Sequence, residues 1–154
     1  MTGGAVSAVV DTNIFVSALL SPRGLPHALY AAWRAGAFTL HLAEAQRTEL
    51  EEVLGRSRLR ERFGLAPDAV AELFHLLRAH ALPAPALDTP PIRVRDPKDD
   101  HILAAALGAN VAYLVTGDDD LLSLADDPRL GALRIVTARA FLDALDPPTD
   151  EPHP

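Results

Sequence analysis

Residues 5–13 read AVSAVVDTN and residues 112–118 read AYLVTGD. Each is a short, Val-containing apolar run that leads into an acid, Asp11 in the first and, past Thr116 and Gly117, Asp118 in the second. Nearly continuous apolar runs of this length are strands buried on both faces, as in parallel sheets covered by helices. Phe38–Leu42 and Leu133–Thr137 are predicted as two further strands. Apolar residues at helical spacing predict helices over 13–20, 26–35, 43–54, 58–63, 67–81, 97–107, 121–125 and 138–145. Helices, not hairpin turns, separate the strands, so the expected fold is a three-layer α/β/α sandwich with a central parallel sheet. The Pro-rich segment 82–95 is expected to be a surface connection.

Composition narrows the chemistry. The chain has 154 residues and 49% apolar content, which fits one domain over 1–145 followed by a Pro-rich, disordered tail over 146–154 (DPPTDEPHP). There is no cysteine, which excludes a disulfide framework, a thiolate nucleophile and a thiolate metal site. Any metal would sit on oxygen or imidazole ligands. No stretch approaches the roughly 18 consecutive apolar residues of a membrane span, and no cleavable leader is evident, so no membrane contact and a cytoplasmic location are expected. A net charge of -7 argues against coating nucleic acid by charge alone, though not against a local basic groove. Of the 14 basic residues only Lys98 is lysine.

In an open parallel sheet, ligands bind beyond the carboxyl ends of the strands, where strand order reverses. Asp11 and Asn13 leave the first strand there, and Asp118, Asp119 and Asp120 follow Thr116. Asp96, Asp99 and Asp100 open the helix that starts at Pro97. Each acid also has a structural role open to it. Asp is a favoured helix cap, and Asp96-Pro97-Lys98-Asp99 is a good helix start in its own right, the preferred account of Asp96. Independent caps have no reason to gather at one edge of a sheet, however, and close carboxylates repel unless a cation is present. On the helix 43–54, Leu50, Val53 and Leu54 form the buried stripe, Glu49 and Glu51 flank it, and Glu52 points away; the helical wheel does not choose between Glu49 and Glu51. Among the histidines, only His101 adjoins an acidic cluster. Several carboxylates without His or Cys suit Mg²⁺ or Mn²⁺, ions that activate water and stabilise charge on a phosphoryl group.

Four blocks, VVDTNIFVSALL, TELEEVL, DPKDDHILAAA and YLVTGDDDLL, resemble the PIN domain in order and spacing over Val9–Leu145. The DPKDDHIL and VTGDDDLL pair is most similar to the bacterial toxin components of VapC type. The resemblance implies a ribonuclease that cleaves RNA with one or two Mg²⁺ or Mn²⁺ ions held by an acidic quartet. Carried onto this chain, the quartet falls on Asp11, Glu49, Asp99 and Asp118, with Asp120 as an auxiliary ligand. Asn13, Thr116, Asp96 and Asp100 are supporting candidates. The resemblance further implies a homodimer and a small antitoxin partner. Phe15, Leu19, Leu29 and Trp33 are candidates for those surfaces, with a plain core role as the alternative.

Arg56, Arg58, Arg60 and Arg62 follow the Glu49 helix; if helical, they form two i,i+4 pairs that could face an RNA backbone, or else they solvate a short helix. Arg93 and Arg95 are a second candidate set. No aromatic residue interleaves with either, so base stacking has little support. The rival enzyme is a phosphatase of haloacid-dehalogenase type, whose second acid, two residues after the first, is here Asn13. The rival non-enzyme is a binding module on the same fold.

Overall fold

The computed structural model describes residues 6–56 and 61–145. Residues 1–5 of the expected domain and the expected tail 146–154, together with Arg58 and Arg60, lie outside the described residues. In chain order the elements are β1 (Ser7–Val10), α1 (Thr12–Leu20), α2 (Leu25–Arg34), β2 (Thr39–Leu42), α3 (Glu44–Leu54), α4 (Pro67–His80) and β3 (Leu82–Pro83). There follow α5 (Pro97–Ala109), β4 (Tyr113–Val115), α6 (Asp119–Leu122), a 3-10 turn (Pro128–Leu130), β5 (Arg134–Val136) and α7 (Ala138–Leu145). The strands form one sheet in the order β3-β2-β1-β4-β5. Every neighbouring pair is parallel.

The two-residue period of β1 divides the core. Ala8 and Val10 face the layer built by α1, α2, α3, α4 and α7, which includes Phe15, Trp33, Leu50 and Phe141. Val9 faces the opposite layer, with Leu103, Leu114, Leu121 and Ile135. All three β1 residues are fully buried, so the absence of polar alternation is the direct result of helices on both faces. The three-layer α/β/α sandwich expected from the sequence is the observed architecture.

The chain leaves β1 towards β2 on one side and returns through β4 on the other, so strand order reverses between β1 and β4. Their carboxyl ends carry Asp11 and Thr116. The ladder continues into both residues, with Asp11 N–H donating to the Val115 carbonyl at 2.8 Å and Thr116 N–H to that of Val136 at 2.9 Å.

Several expectations are corrected. The segment 82–95 begins with the edge strand β3, paired to β2 with His41 opposite Leu82 and Leu42 opposite Pro83. Two residues are too few to show periodicity, and an edge position tolerates the proline's missing N–H. Nor is the rest of 82–95 a plain surface connection. Ala84 and Ile92 are buried, and Leu87 N–H donates to the Ala104 carbonyl of α5 at 3.1 Å. The helix predicted over 121–125 is instead α6, starting at Asp119 because Asp118 caps it. The segment predicted as a helix over 58–63 falls partly outside the described residues, with Arg58 and Arg60 among them, and Arg56 lies past the C-cap Gly55 of α3. Finally, Phe15, Leu29 and Trp33 are core residues, 1%, 0% and 6% exposed, and Leu19 packs against them. Uncovering each of these three buried side chains would cost about 1.5–3 kcal/mol, so Phe15, Leu29 and Trp33 offer no docking surface, while Leu19 is only partly buried. Among the described residues no helix is long and apolar enough to cross a membrane.

Gly108 makes the contact between α5 and the 82–95 segment close. A Cβ at that position would lie 1.8 Å from the Pro85 carbonyl oxygen and 2.9 Å from the Leu87 nitrogen. Both are backbone atoms that cannot swing aside. Gly108→Ala should therefore destabilise the fold by about 1–3 kcal/mol despite alanine's better helix propensity. Chemical denaturation checks this, and an unchanged midpoint would show that the segment does not press on α5.

Candidate metal centre

Asp11 ends β1 and caps α1: its Oδ1 accepts from Asn13 N–H at 3.1 Å. Its other oxygen, Oδ2, accepts from the Thr116 hydroxyl at 2.7 Å. Thr116 is fully buried, and its Oγ1 in turn accepts from Asp118 N–H at 3.1 Å. One hydroxyl thus ties the acids after β1 and β4 into a single hydrogen-bonded chain.

The third acidic segment opens α5. Asp96 caps it, its Oδ1 accepting from Lys98 N–H at 2.8 Å and Asp99 N–H at 3.5 Å, with Pro97 at the first helical position. That start aims Asp99 inwards, where it is 7% exposed and its Oδ2 has no hydrogen-bond partner. Oxygens of Asp99, Asp118 and Asp120 all lie within 4.8 Å of one another. Burial, and then the charges of Asp118, Asp96, Asp11 and Asp120, push the Asp99 carboxyl up to about 6. A buried carboxylate oxygen without a donor, with two more carboxylates around it, fits a cation as its missing partner. An all-oxygen set suits a hard divalent ion such as Mg²⁺, whose octahedral ligands sit about 3–4 Å apart at its ~2.1 Å bond length.

Asp11, Asp96, Asp99 and Asp118, though not Asp120, line a cleft of about 840 Å³ that also has Asn13, Glu49 and His101 in its wall. Glu49 and Glu52 line it and Glu51 does not; Glu52, expected to point away, lies three residues from Glu49 and so shares its face. Glu49 lies outside the close group of three, and its Oε2 is held by the Lys98 ammonium at 2.8 Å.

Other candidates are placed elsewhere. Asp100 is engaged by Arg93, whose Nη2 donates to Oδ2 at 2.7 Å, and by Val94 N–H at 2.9 Å. The Arg93 hydrogen bonds hold the Asp100 carboxyl below the usual carboxylate range. Neither residue lines the cleft. Arg62 lies over the Phe63 ring at 5.5 Å, and neither Arg56 nor Arg95 lines the cleft.

One positioning residue escaped the sequence analysis. Gln46 is buried, its Nε2 donating to the Val10 carbonyl at 2.8 Å and its Oε1 accepting from Ala43 N–H at 3.1 Å. It fastens the start of α3, one turn before Glu49, to the last residue of β1. Gln three residues after a helix cap was a legible capping signal, but Ala43 has no side-chain oxygen to complete the pattern.

An oxygen-only acidic centre at the switch point of a parallel α/β/α sheet belongs to a class of proteins that use a divalent metal on phosphate esters. Residues 7–120 match the family model of the PIN domain, and the chain belongs to that family. PIN domains are in general metal-dependent nucleases, which makes the chain a member of a hydrolase family. No curated protein and no solved structure matches it.

The raised Asp99 value has a definite sign. The folded-state value lies above the ordinary 3.8, so ionised Asp99 weakens the metal-free fold above about pH 6, and the penalty fades as pH falls towards 4. Its size is on the order of 2–3 kcal/mol. In chelator, Asp99→Asn should unfold at a higher temperature than the wild type at pH 7.5, with the gap closing by pH 4.5. Equal melting temperatures at pH 7.5 would mean that the cluster is not desolvated. Separately, Gln46→Leu should cost about 1–3 kcal/mol by leaving the Val10 carbonyl without its donor, as measured by denaturant titration.

Proposed function

We propose that the protein is a Mg²⁺- or Mn²⁺-dependent endoribonuclease, the toxin component of a toxin–antitoxin pair of VapC type, acting in the cytoplasm. The observation that carries the metal-dependent part is the buried Asp99, whose Oδ2 has no donor and whose carboxylate offers an oxygen within 4.8 Å of those of Asp118 and Asp120. RNA as substrate, and the toxin role with its antitoxin and homodimer, are supported by the likeness of DPKDDHIL and VTGDDDLL to that branch of the family.

In this proposal Asp99, Asp118 and Asp120 hold the ion, with Asp11 and Glu49 completing its surroundings. The bound ion supplies an activated water and offsets charge on the phosphoryl oxygens. Thr116 keeps one oxygen of Asp11 fixed by donating to it. Gln46 sets the height of α3 and with it the reach of Glu49. Asn13 presents an amide, not a carboxyl, two residues after Asp11. It cannot give up a proton as a general acid, which favours a metal-activated water over an Asp nucleophile.

Purified protein with Mn²⁺ should cleave single-stranded RNA from a broad panel, and chelator should abolish the cleavage. Asp11→Ala and Asp99→Ala should each reduce kcat/KM by about 100-fold or more while circular dichroism stays unchanged. Intact RNA alongside hydrolysis of a phosphomonoester would replace the nuclease with a phosphatase.

A further inference from the structure

We propose that Lys98 is the phosphate-positioning residue of the cleft, and that its ammonium group occupies Glu49 until a divalent cation takes its place. This rests on the nuclease proposal above. Lys98 is the only lysine of the chain, and it stands beside Asp99 in the first turn of α5. Its backbone N–H is fixed by Asp96 at 2.8 Å, so the root of the side chain is immobile. Its end is free to swing: the side chain is 75% exposed, against 24% for Glu49.

The charges in the cleft give that freedom a use. Seven carboxylates line it, against Arg47 and Lys98 as the basic residues. A phosphodiester that enters meets repulsion from all of them. An ion in the centre offsets part of this, and a cation from the wall is needed for the phosphate oxygens that the ion does not reach. Arg47 makes no ion pair with the acids of the cleft among the described residues, whereas Lys98 already touches one of them, Glu49. An exposed Lys–Glu pair is worth only about 0.2–1 kcal/mol, too little to withstand a dication that attracts the same carboxylate with twice the charge. Once exchanged, the ammonium remains tethered one residue from Asp99, at the edge where the substrate backbone must lie. Glu49 and Lys98 thus pass from partners of each other to partners of metal and phosphate.

The test uses the full chain, with Mn²⁺ binding followed by electron paramagnetic resonance and cleavage of a single-stranded RNA followed over a range of NaCl concentrations. Lys98→Met should bind Mn²⁺ roughly two- to fivefold more tightly, since the competing cation is gone. The same variant should raise KM for RNA, and the plot of log kcat/KM against log salt should become shallower by about 0.7, the share of one phosphate contact on a single strand. Lys98→Arg should recover that slope. A merely structural lysine would weaken metal and RNA together and leave the slope alone. Unchanged or weaker Mn²⁺ binding, or an unchanged slope, in a wild-type background that binds Mn²⁺ and cleaves RNA, overturns the role of Lys98 only. Wild-type protein that neither binds Mn²⁺ nor cleaves RNA overturns this proposal and the nuclease together.

Discussion

Carboxylates that share one end of a parallel sheet repel one another, and much of the local structure around β1, β4 and α5 counters that repulsion. Asp11, Asp96 and Asp118 are each placed at a helix N-terminus, where unpaired N–H groups and the helix dipole favour negative charge. Each donates nothing and accepts from one or two backbone amides. The stabilisation is about 0.3–1 kcal/mol per site, and it serves three of the acids but not a fourth, which is buried with an oxygen that has no donor. Asp99 is that fourth, and its elevated carboxyl records the uncompensated remainder.

Capping and metal binding are therefore not rival accounts of the same residues. A carboxylate has two oxygens. Asp11 gives Oδ1 to Asn13 and Oδ2 to Thr116; Asp118 gives Oδ1 to Asp120 N–H. Asp96 caps more fully, accepting from two amides through one oxygen, and yet it lines the cleft. The caps fix the side chains before any ion arrives, so less ordering has to accompany binding. Asp100 shows another outcome: the Arg93 guanidinium already offsets its charge, and with the Val94 N–H it anchors the 82–95 segment on α5 instead of lining the cleft.

What the sequence made legible follows from the range of each interaction. The buried strands were visible because burial on both faces acts on consecutive residues, Ala8 to Val10 in β1 and Leu114 to Val115 in β4, leaving short apolar runs. The acids at their ends were visible because a parallel sheet has one end where loops gather. β3 was not visible, since two residues at an edge carry no period. Glu52 was misplaced because the wheel was drawn around the buried stripe and not around the cleft, which lies off to one side of α3. Gln46 was missed because its partner, the Val10 carbonyl, is 36 residues away in sequence, and no local pattern reports a side chain that reaches across two elements. The pairing of Asp100 with Arg93 was hidden for a related reason: both residues sit in an acid- and Arg-rich stretch where every neighbour is an equally good partner on paper.

The charge balance of the molecule changes meaning once the cleft is seen. A net charge of -7 first weighs against a nucleic-acid ligand. Of the 21 acids, however, Asp11, Glu49, Asp99 and Asp118 line one cleft, leaving 17 against the 14 bases. The excess is local, in the one place where a divalent cation would offset it. Attraction of a polyanion by such a chain must then be conditional: metal first, phosphate second. Before the ion binds, the cleft repels nucleic acid, and the one lysine at its edge is spent on Glu49. On the proposal that Lys98 yields Glu49 to the ion, the occupied cleft would carry less negative charge and present a cation at its rim to the backbone. Substrate access would then be coupled to metal occupancy by electrostatics acting over a few ångströms.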